Sequence, residues 1–141
     1  GYVGLPLSLA YSESSYKVVG FDINSELVKK VNSGISYINH ISNARIDKSV
    51  KNNQLRATTL ISEISNVDAV IICVPTPLTA NRDPDLSFIV KTMESIKPYL
   101  TNGQVISLES TTYPGTTEEI LRPIIESTGK GCLASIKCYH R

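Results

Sequence analysis

Two glycines three residues apart open the chain, in Gly1-Tyr2-Val3-Gly4-Leu5-Pro6, and an aspartate, Asp22, follows eighteen residues after the second. Gly1 and Gly4 match the last two glycines of a G-x-G-x-x-G turn, and each has a physical task there. Gly1 would let the backbone approach a pyrophosphate, and Gly4 would let the next helix pack closely on a sheet. The helix start would present unpaired N–H groups and the positive end of its dipole to the phosphates. Asp22 closes the strand after that helix, where a carboxylate accepts hydrogen bonds from ribose hydroxyls. Its charge repels a 2′-phosphate, so the expected cofactor is NAD rather than NADP. Two turn glycines and an ordinary strand-end aspartate would carry the same spacing.

Two further loops stand where open α/β sheets hold ligands, beyond the carboxyl ends of strands. Val74-Pro75-Thr76-Pro77 ends the apolar run from Asp68 to Val74, and Ser110-Thr111 ends the run from Gln104 to Glu109. Prolines also stop strands, and Thr111 and Thr112 could merely cap a turn. Two such loops converging on one edge favour a site.

The elements that must position these residues follow from the hydrophobic pattern. Leu5 to Ser14 reads as a short helix with Pro6 in its first turn and Leu5, Leu9 and Ala10 on one face, and Lys17 to Asp22 as a buried strand. Ser25 to Val31 is a helix capped by Asn24 or Ser25, with Leu27, Val28 and Val31 inward and Gly34 placed to stop it. A short helix near Ala44 to Val50 and a modest strand over Gln54 to Thr59 come next. Asp68 to Val74, continuously apolar and β-branched, reads as a central strand covered on both faces. The loop from Pro75 to Asp85 has three prolines and cannot be helical. Leu86 to Leu100 reads as an amphipathic helix, Gln104 to Glu109 as a strand, and Thr116 to Ser127 as a helix interrupted by Pro123. Strands alternating with helices predict an α/β fold with a mostly parallel sheet.

Composition narrows the partners. The 141 residues suit one ordinary domain. Fourteen basic residues against 13 acidic ones, without blocks, leave a net charge of +1 and no footprint for nucleic acid or an anionic membrane. The longest apolar run is far below the roughly 20 residues of a membrane span. Three widely spaced cysteines form no disulfide framework, and a cytoplasmic setting is expected. Cys73 lies inside an apolar strand and reads as a core residue. Cys132, Cys138 and His140 lack the paired spacing of a metal site, so no metal is expected, and His40 reads as a surface residue.

The segments GYVGLP, GFDIN, SYINHI, ICVPTPLT, DPDLS and LESTTYPGTTEE, in this order, resemble the N-terminal NAD-binding domain of the UDP-glucose/GDP-mannose dehydrogenase family. Within it they are most similar to the UDP-N-acetylglucosamine or UDP-N-acetylmannosamine 6-dehydrogenases of bacterial surface-polysaccharide synthesis. The resemblance implies a Rossmann-type doubly wound sheet. It also implies oxidation of a sugar C6 alcohol to a carboxylate with two NAD, through an aldehyde that a cysteine captures as a thiohemiacetal and then a thioester. Carried over by position, Gly1, Tyr2, Val3 and Gly4 would meet the pyrophosphate and Asp22 the adenosine ribose. Val74, Pro75 and Thr76 would contact the cofactor, and Thr111 would stand near the reacting sugar and a catalytic water. Where the family often has Lys or Arg, five residues after the ribose aspartate, this chain has Leu27. A weaker adenosine contact, or one made from elsewhere, is implied.

The resemblance covers Gly1 to about Ser127. Residues 1–128 are therefore expected to form a partial NAD-binding domain lacking its first strand, and residues 129–141 a divergent tail. The catalytic cysteine, its lysine and asparagine helpers, the dimerising helix and the UDP-binding domain are expected outside this chain. Alone it should then be inactive and poorly stable, with a UDP-sugar as substrate and a homodimer or higher oligomer formed only by the complete protein. A non-catalytic nucleotide-binding or interaction module derived from such a domain is the alternative. Another hydroxyacid dehydrogenase of the same fold is disfavoured by the proline-threonine loop and by ESTTYPGTT.

Overall fold

Helix α1 (Gly4–Glu13) begins at the first glycine-rich turn and runs back over the strand that follows it, β1 (Val18–Phe21). The computed structural model describes residues 2–80, 82 and 84–131, together with the backbone of residues 133–134. These residues fall into two compact units, the first ending at Leu60 and the second beginning at Ile61.

In the first unit, α1 turns Leu5 and Leu9 into a core with Val31, Ile38, Ile41, Ile46 and Leu55. Complete burial of a leucine such as Leu9 contributes about 1.5–3 kcal/mol. Ala10, expected on that face, is exposed, and Ser12 is buried in its place. Ser12 lies three residues beyond Leu9 and turns inward at low cost, because its hydroxyl donates to the Leu9 carbonyl at 2.9 Å and shares a hydrogen bond with the Ser49 hydroxyl at 3.1 Å.

Helix α2 (Ser25–Asn32) is capped by Asn24, whose Oδ1 accepts from Glu26 N at 3.0 Å and Leu27 N at 3.4 Å. Gly34 stops it at φ +74°, so that Ile35 N donates to the Lys30 carbonyl and Gly34 N to that of Val31, both at 2.9 Å. Helix α3 (Asn43–Lys51) follows, joined to α1 by a two-pronged Arg45–Glu13 pair at 2.8 Å on each prong. Strand β2 (Leu55–Thr58) then pairs in parallel with β1, Val18 opposite Leu55. The outer edge of β2 is closed by a side chain: Asn32 Nδ2 donates to the Ala57 carbonyl at 2.9 Å and Asn32 Oδ1 accepts from Ala57 N at 2.7 Å. That amide stands where another strand would pair and ends the sheet there.

The second unit opens with a 3₁₀ turn (Ile61–Asn66) and β3 (Ala69–Ile72), which pairs in parallel with β4 (Val105–Leu108). Between them, α4 (Ser87–Ile96) passes into a 3₁₀ turn over Lys97–Tyr99. The α-helix ends sooner than its periodicity suggests because Pro98 cannot donate into it. The core gathers Ile72, Ile89, Met93, Ile96, Leu100, Ile106, Leu108, Leu121 and Ile125. Alternation along β4 sends Ile106 and Leu108 inward, with Val105 and Ser107 half-buried opposite. A π turn (Thr117–Leu121) leads into α5 (Arg122–Glu126), where Pro123, second in the helix, accounts for the widened turn before it. A two-residue parallel strand, β5 (Leu133–Ala134), then joins β4.

Among the described residues, β1 and β3 each pair along one edge only. The central, doubly covered position expected for β3 is thus not what these residues show, since Ala69 is exposed and only Ile72 is buried. β1, expected to be buried, is half-buried with Phe21 exposed. A strand with one neighbour keeps part of its surface open whatever its composition.

Candidate functional site

The first cluster lies at one end of the first unit. A short connection makes α1 antiparallel to β1, and about 15 Å of helix matches roughly 13 Å of strand. The start of α1 therefore returns to the end of β1 that carries Asp22. Tyr2 and Val3 form the turn before the helix and are 82% and 55% exposed, which leaves this backbone open to a ligand. Val3 occupies the cap position without a capping side chain, and no acidic residue lies in the first turn. Helix α2, by contrast, begins with Asn24 on its N–H groups and Glu26 beside them. The start of α1 thus keeps donors and dipole for an anion, as a pyrophosphate requires. Gly1 lies outside the described residues.

Asp22 is half-buried just past β1. Its N–H donates to the Thr58 carbonyl at 3.2 Å, and its Oδ1 accepts from Asn24 N at 2.9 Å. The same Asn24 caps α2, so the carboxylate is fixed to the turn it heads. Tyr37, half-buried against the first core, was not singled out by sequence. Burial pushes its phenol above the ordinary range and the Asp22 carboxylate adds to the effect, which makes Tyr37 a neighbour of that charge. Leu27 is half-buried and brings no cation.

The second cluster belongs to the second unit. β3 and β4 are parallel, so the loops after them leave the same edge. The backbone ladder reaches Glu109 N, which donates to the Ile72 carbonyl at 2.8 Å. Beyond it, Ser110 Oγ accepts from Val74 N at 3.1 Å and donates to the Val74 carbonyl at 2.8 Å. Val74 also packs against the second core, Pro75 is exposed and Thr76 half-buried. Thr111 is exposed beside Ser110. Val74, Pro75, Thr76 and Thr111 are thus brought together at one edge. The sequence singles out Ser110 only as part of the Ser110-Thr111 strand-end loop, with no task of its own.

Cys73 does not stand ready as a nucleophile. Burial pushes the Cys73 thiol up, and the Glu109 carboxylate pushes the same way, so the thiolate is disfavoured. His40 is exposed. Cys132, Cys138 and His140 lie outside the described residues. Among the described residues no helix is long and apolar enough to cross a membrane.

Residues 1–139 match the family described as "UDP-glucose/GDP-mannose dehydrogenase family, NAD binding domain", a span that continues past residue 128 and takes in β5. The chain is 38% identical over 133 residues to a UDP-N-acetyl-D-mannosamine dehydrogenase of Pyrococcus horikoshii, covering 92% of this chain and 31% of that protein. It is 36% identical over 126 residues to a UDP-N-acetyl-D-glucosamine 6-dehydrogenase of Pseudomonas aeruginosa, covering 89% and 29%. The chain thus spans about a third or less of these curated relatives. The crystal structure of a ternary complex of GDP-mannose dehydrogenase from Pseudomonas aeruginosa superposes with a TM-score of 0.90 at 27% identity, over 96% of this chain and 34% of that one. The fold is accordingly the Rossmann-type α/β fold of these dehydrogenases, and an uncapped helix start with an aspartate at the same end fits NAD. The chain belongs to the UDP-glucose/GDP-mannose dehydrogenase family and matches its NAD-binding domain.

Proposed function

We propose that this chain is the NAD-binding portion of a nucleotide-sugar 6-dehydrogenase. In this reading the complete protein oxidises the C6 alcohol of a UDP-N-acetylhexosamine to the carboxylate with two NAD, in the cytoplasm, for a surface polysaccharide. The observation that carries it is the 38% and 36% identity to relatives named for UDP-N-acetylmannosamine and UDP-N-acetylglucosamine. Bound NAD supplies the hydride acceptor. Gly1, Tyr2, Val3 and Gly4 receive the pyrophosphate on the start of α1. Asp22 holds the adenosine ribose diol and turns away a 2′-phosphate. Val74, Pro75 and Thr76 line the cofactor, and Thr111 orients the sugar and a water. The thiolate that captures the aldehyde, the UDP-binding domain and the dimer contacts come from residues outside this chain. The boundary near residue 128 is part of the same proposal.

The test uses the complete protein and follows NADH formation with each UDP-N-acetylhexosamine. Turnover with NAD and little with NADP is expected, and none from the 141-residue chain alone. Asp22→Ala should raise the KM for NAD about tenfold or more, as loss of charged hydrogen bonds of about 1.5–3 kcal/mol predicts, and narrow the cofactor preference. Absence of NADH with any UDP-sugar would sink the substrate assignment. Preference of the unmodified protein for NADP would sink that of Asp22.

A further inference from the structure

We infer that Ser110 is a positioning residue for the cofactor loop, and that its hydroxyl joins the loop after β3 to the loop after β4. The inference deepens the reading above and rests on it, in that the loop held by Ser110 is the one assigned to NAD.

A continued parallel ladder would send the N–H of Val74 to the backbone strand that extends β4. It goes instead to Ser110 Oγ at 3.1 Å, while the Ser110 hydroxyl donates to the carbonyl of the same Val74 at 2.8 Å. One side chain thus satisfies both backbone groups of the residue at which the chain leaves the sheet. The next residue, Pro75, has no N–H, fixes its own φ and confines Val74 to extended backbone. The path of Val74-Pro75-Thr76 is then set at two points: a rigid ring at Pro75 and a two-way hydrogen bond at Val74. Ser110 is itself the direct neighbour of Thr111, and Thr116 ties down the far side of that loop by donating from Oγ1 to the Tyr113 carbonyl at 2.9 Å. Removing the Ser110 hydroxyl therefore releases the Val74 end of the cofactor loop, while the Thr111 loop keeps its own tie at Thr116. A hydroxyl suits this, because its single oxygen both accepts from the N–H and donates to the C=O of one residue, which an alanine methyl cannot do.

The experiment takes the complete protein with Ser110→Ala and Ser110→Thr. It measures NAD dissociation by calorimetry, the KM for NAD and for UDP-sugar separately, kcat, the thermal midpoint, and amide exchange over residues 72–78. Ser110→Ala is expected to weaken NAD binding and raise its KM about tenfold, and to speed exchange in the segment holding Val74. The KM for UDP-sugar should stay within about threefold and the thermal midpoint within a few degrees. Ser110→Thr, which keeps the hydroxyl, should restore NAD binding to within about threefold. Unchanged NAD affinity in Ser110→Ala overturns the inference. So does a parallel rise of both KM values with a falling midpoint, the mark of a merely structural role, and so does failure of threonine to rescue. If the parent protein binds NAD but turns over no UDP-sugar, the substrate reading fails while calorimetry and exchange still decide the role of Ser110.

Discussion

Replacing Gln104 with leucine should cost the second unit about 3 kcal/mol. Gln104 is 2% exposed and stands directly before β4. Its Oε1 accepts from Thr101 N at 2.8 Å, and its Nε2 donates to the carbonyls of Ile64 and Val67, both at 2.7 Å. The amide thus joins the 3₁₀ turn that precedes β3 to the start of β4, and so fixes the strands whose far ends carry Val74 and Ser110. Leucine has nearly the same volume, so no cavity opens and the change is one of hydrogen bonding. Three neutral bonds at about 0.5–1.5 kcal/mol each give about 1.5–4.5 kcal/mol. Unfolding in urea, followed by circular dichroism, reads the effect: at a slope of about 2 kcal/mol/M the midpoint should fall by about 1.5 M. Gln104→Glu should cost more at neutral pH, since a buried carboxylate would face two carbonyl oxygens. Burial and those carbonyls raise the folded pKa of such an acid above its unfolded value, so the added penalty applies at higher pH and is relieved as pH falls through the folded pKa. A loss below about 0.5 kcal/mol for Gln104→Leu, the range of an ordinary surface change, would refute the reasoning by showing that water serves these three groups equally well.

Two further perturbations probe the turns that set the elements. Gly34→Ala places a Cβ 2.9 Å from Asp47 Cβ in a residue at φ +74°, so unfolding experiments should record a loss of at least about 1–2 kcal/mol, and an unchanged midpoint would contradict the left-handed stop of α2. Asp85 Oδ1 accepts from Ser87 N at 2.9 Å at the start of α4, and that bond holds its carboxyl below the ordinary 3.8. Its contribution is full above the unfolded value and lost as pH falls through the lower folded one. The gap in thermal midpoint between the parent and Asp85→Ala should therefore be widest near neutral pH and close below 3.8, and a pH-independent gap would contradict it.

Much of this protein is written locally in its sequence. The order of helices and strands, the Asn24 cap, the Gly34 stop, the irregular proline loop and the break at Pro123 each depend on residues within one or two turns of one another. The ordered motifs likewise suffice for the family, because a phosphate-binding turn, a ribose carboxylate and two strand-end loops are each short. What tertiary structure alone decided involves partners far apart in the chain. Ser12 rather than Ala10 turns inward because Ser49, 37 residues on, meets its hydroxyl. Asn32 closes an edge of β2 that lies 25 residues away. Ser110 holds Val74 across 36 residues, and Gln104 reaches carbonyls 37 and 40 residues behind it. The burial of β1 and β3 has the same origin: apolar composition sets how much a strand gains from being covered, but only its neighbours in space decide how much of it is. Hydrogen-bond partners of this kind carry no periodicity, and they become legible only once the chain has folded and a buried donor or acceptor must find its match.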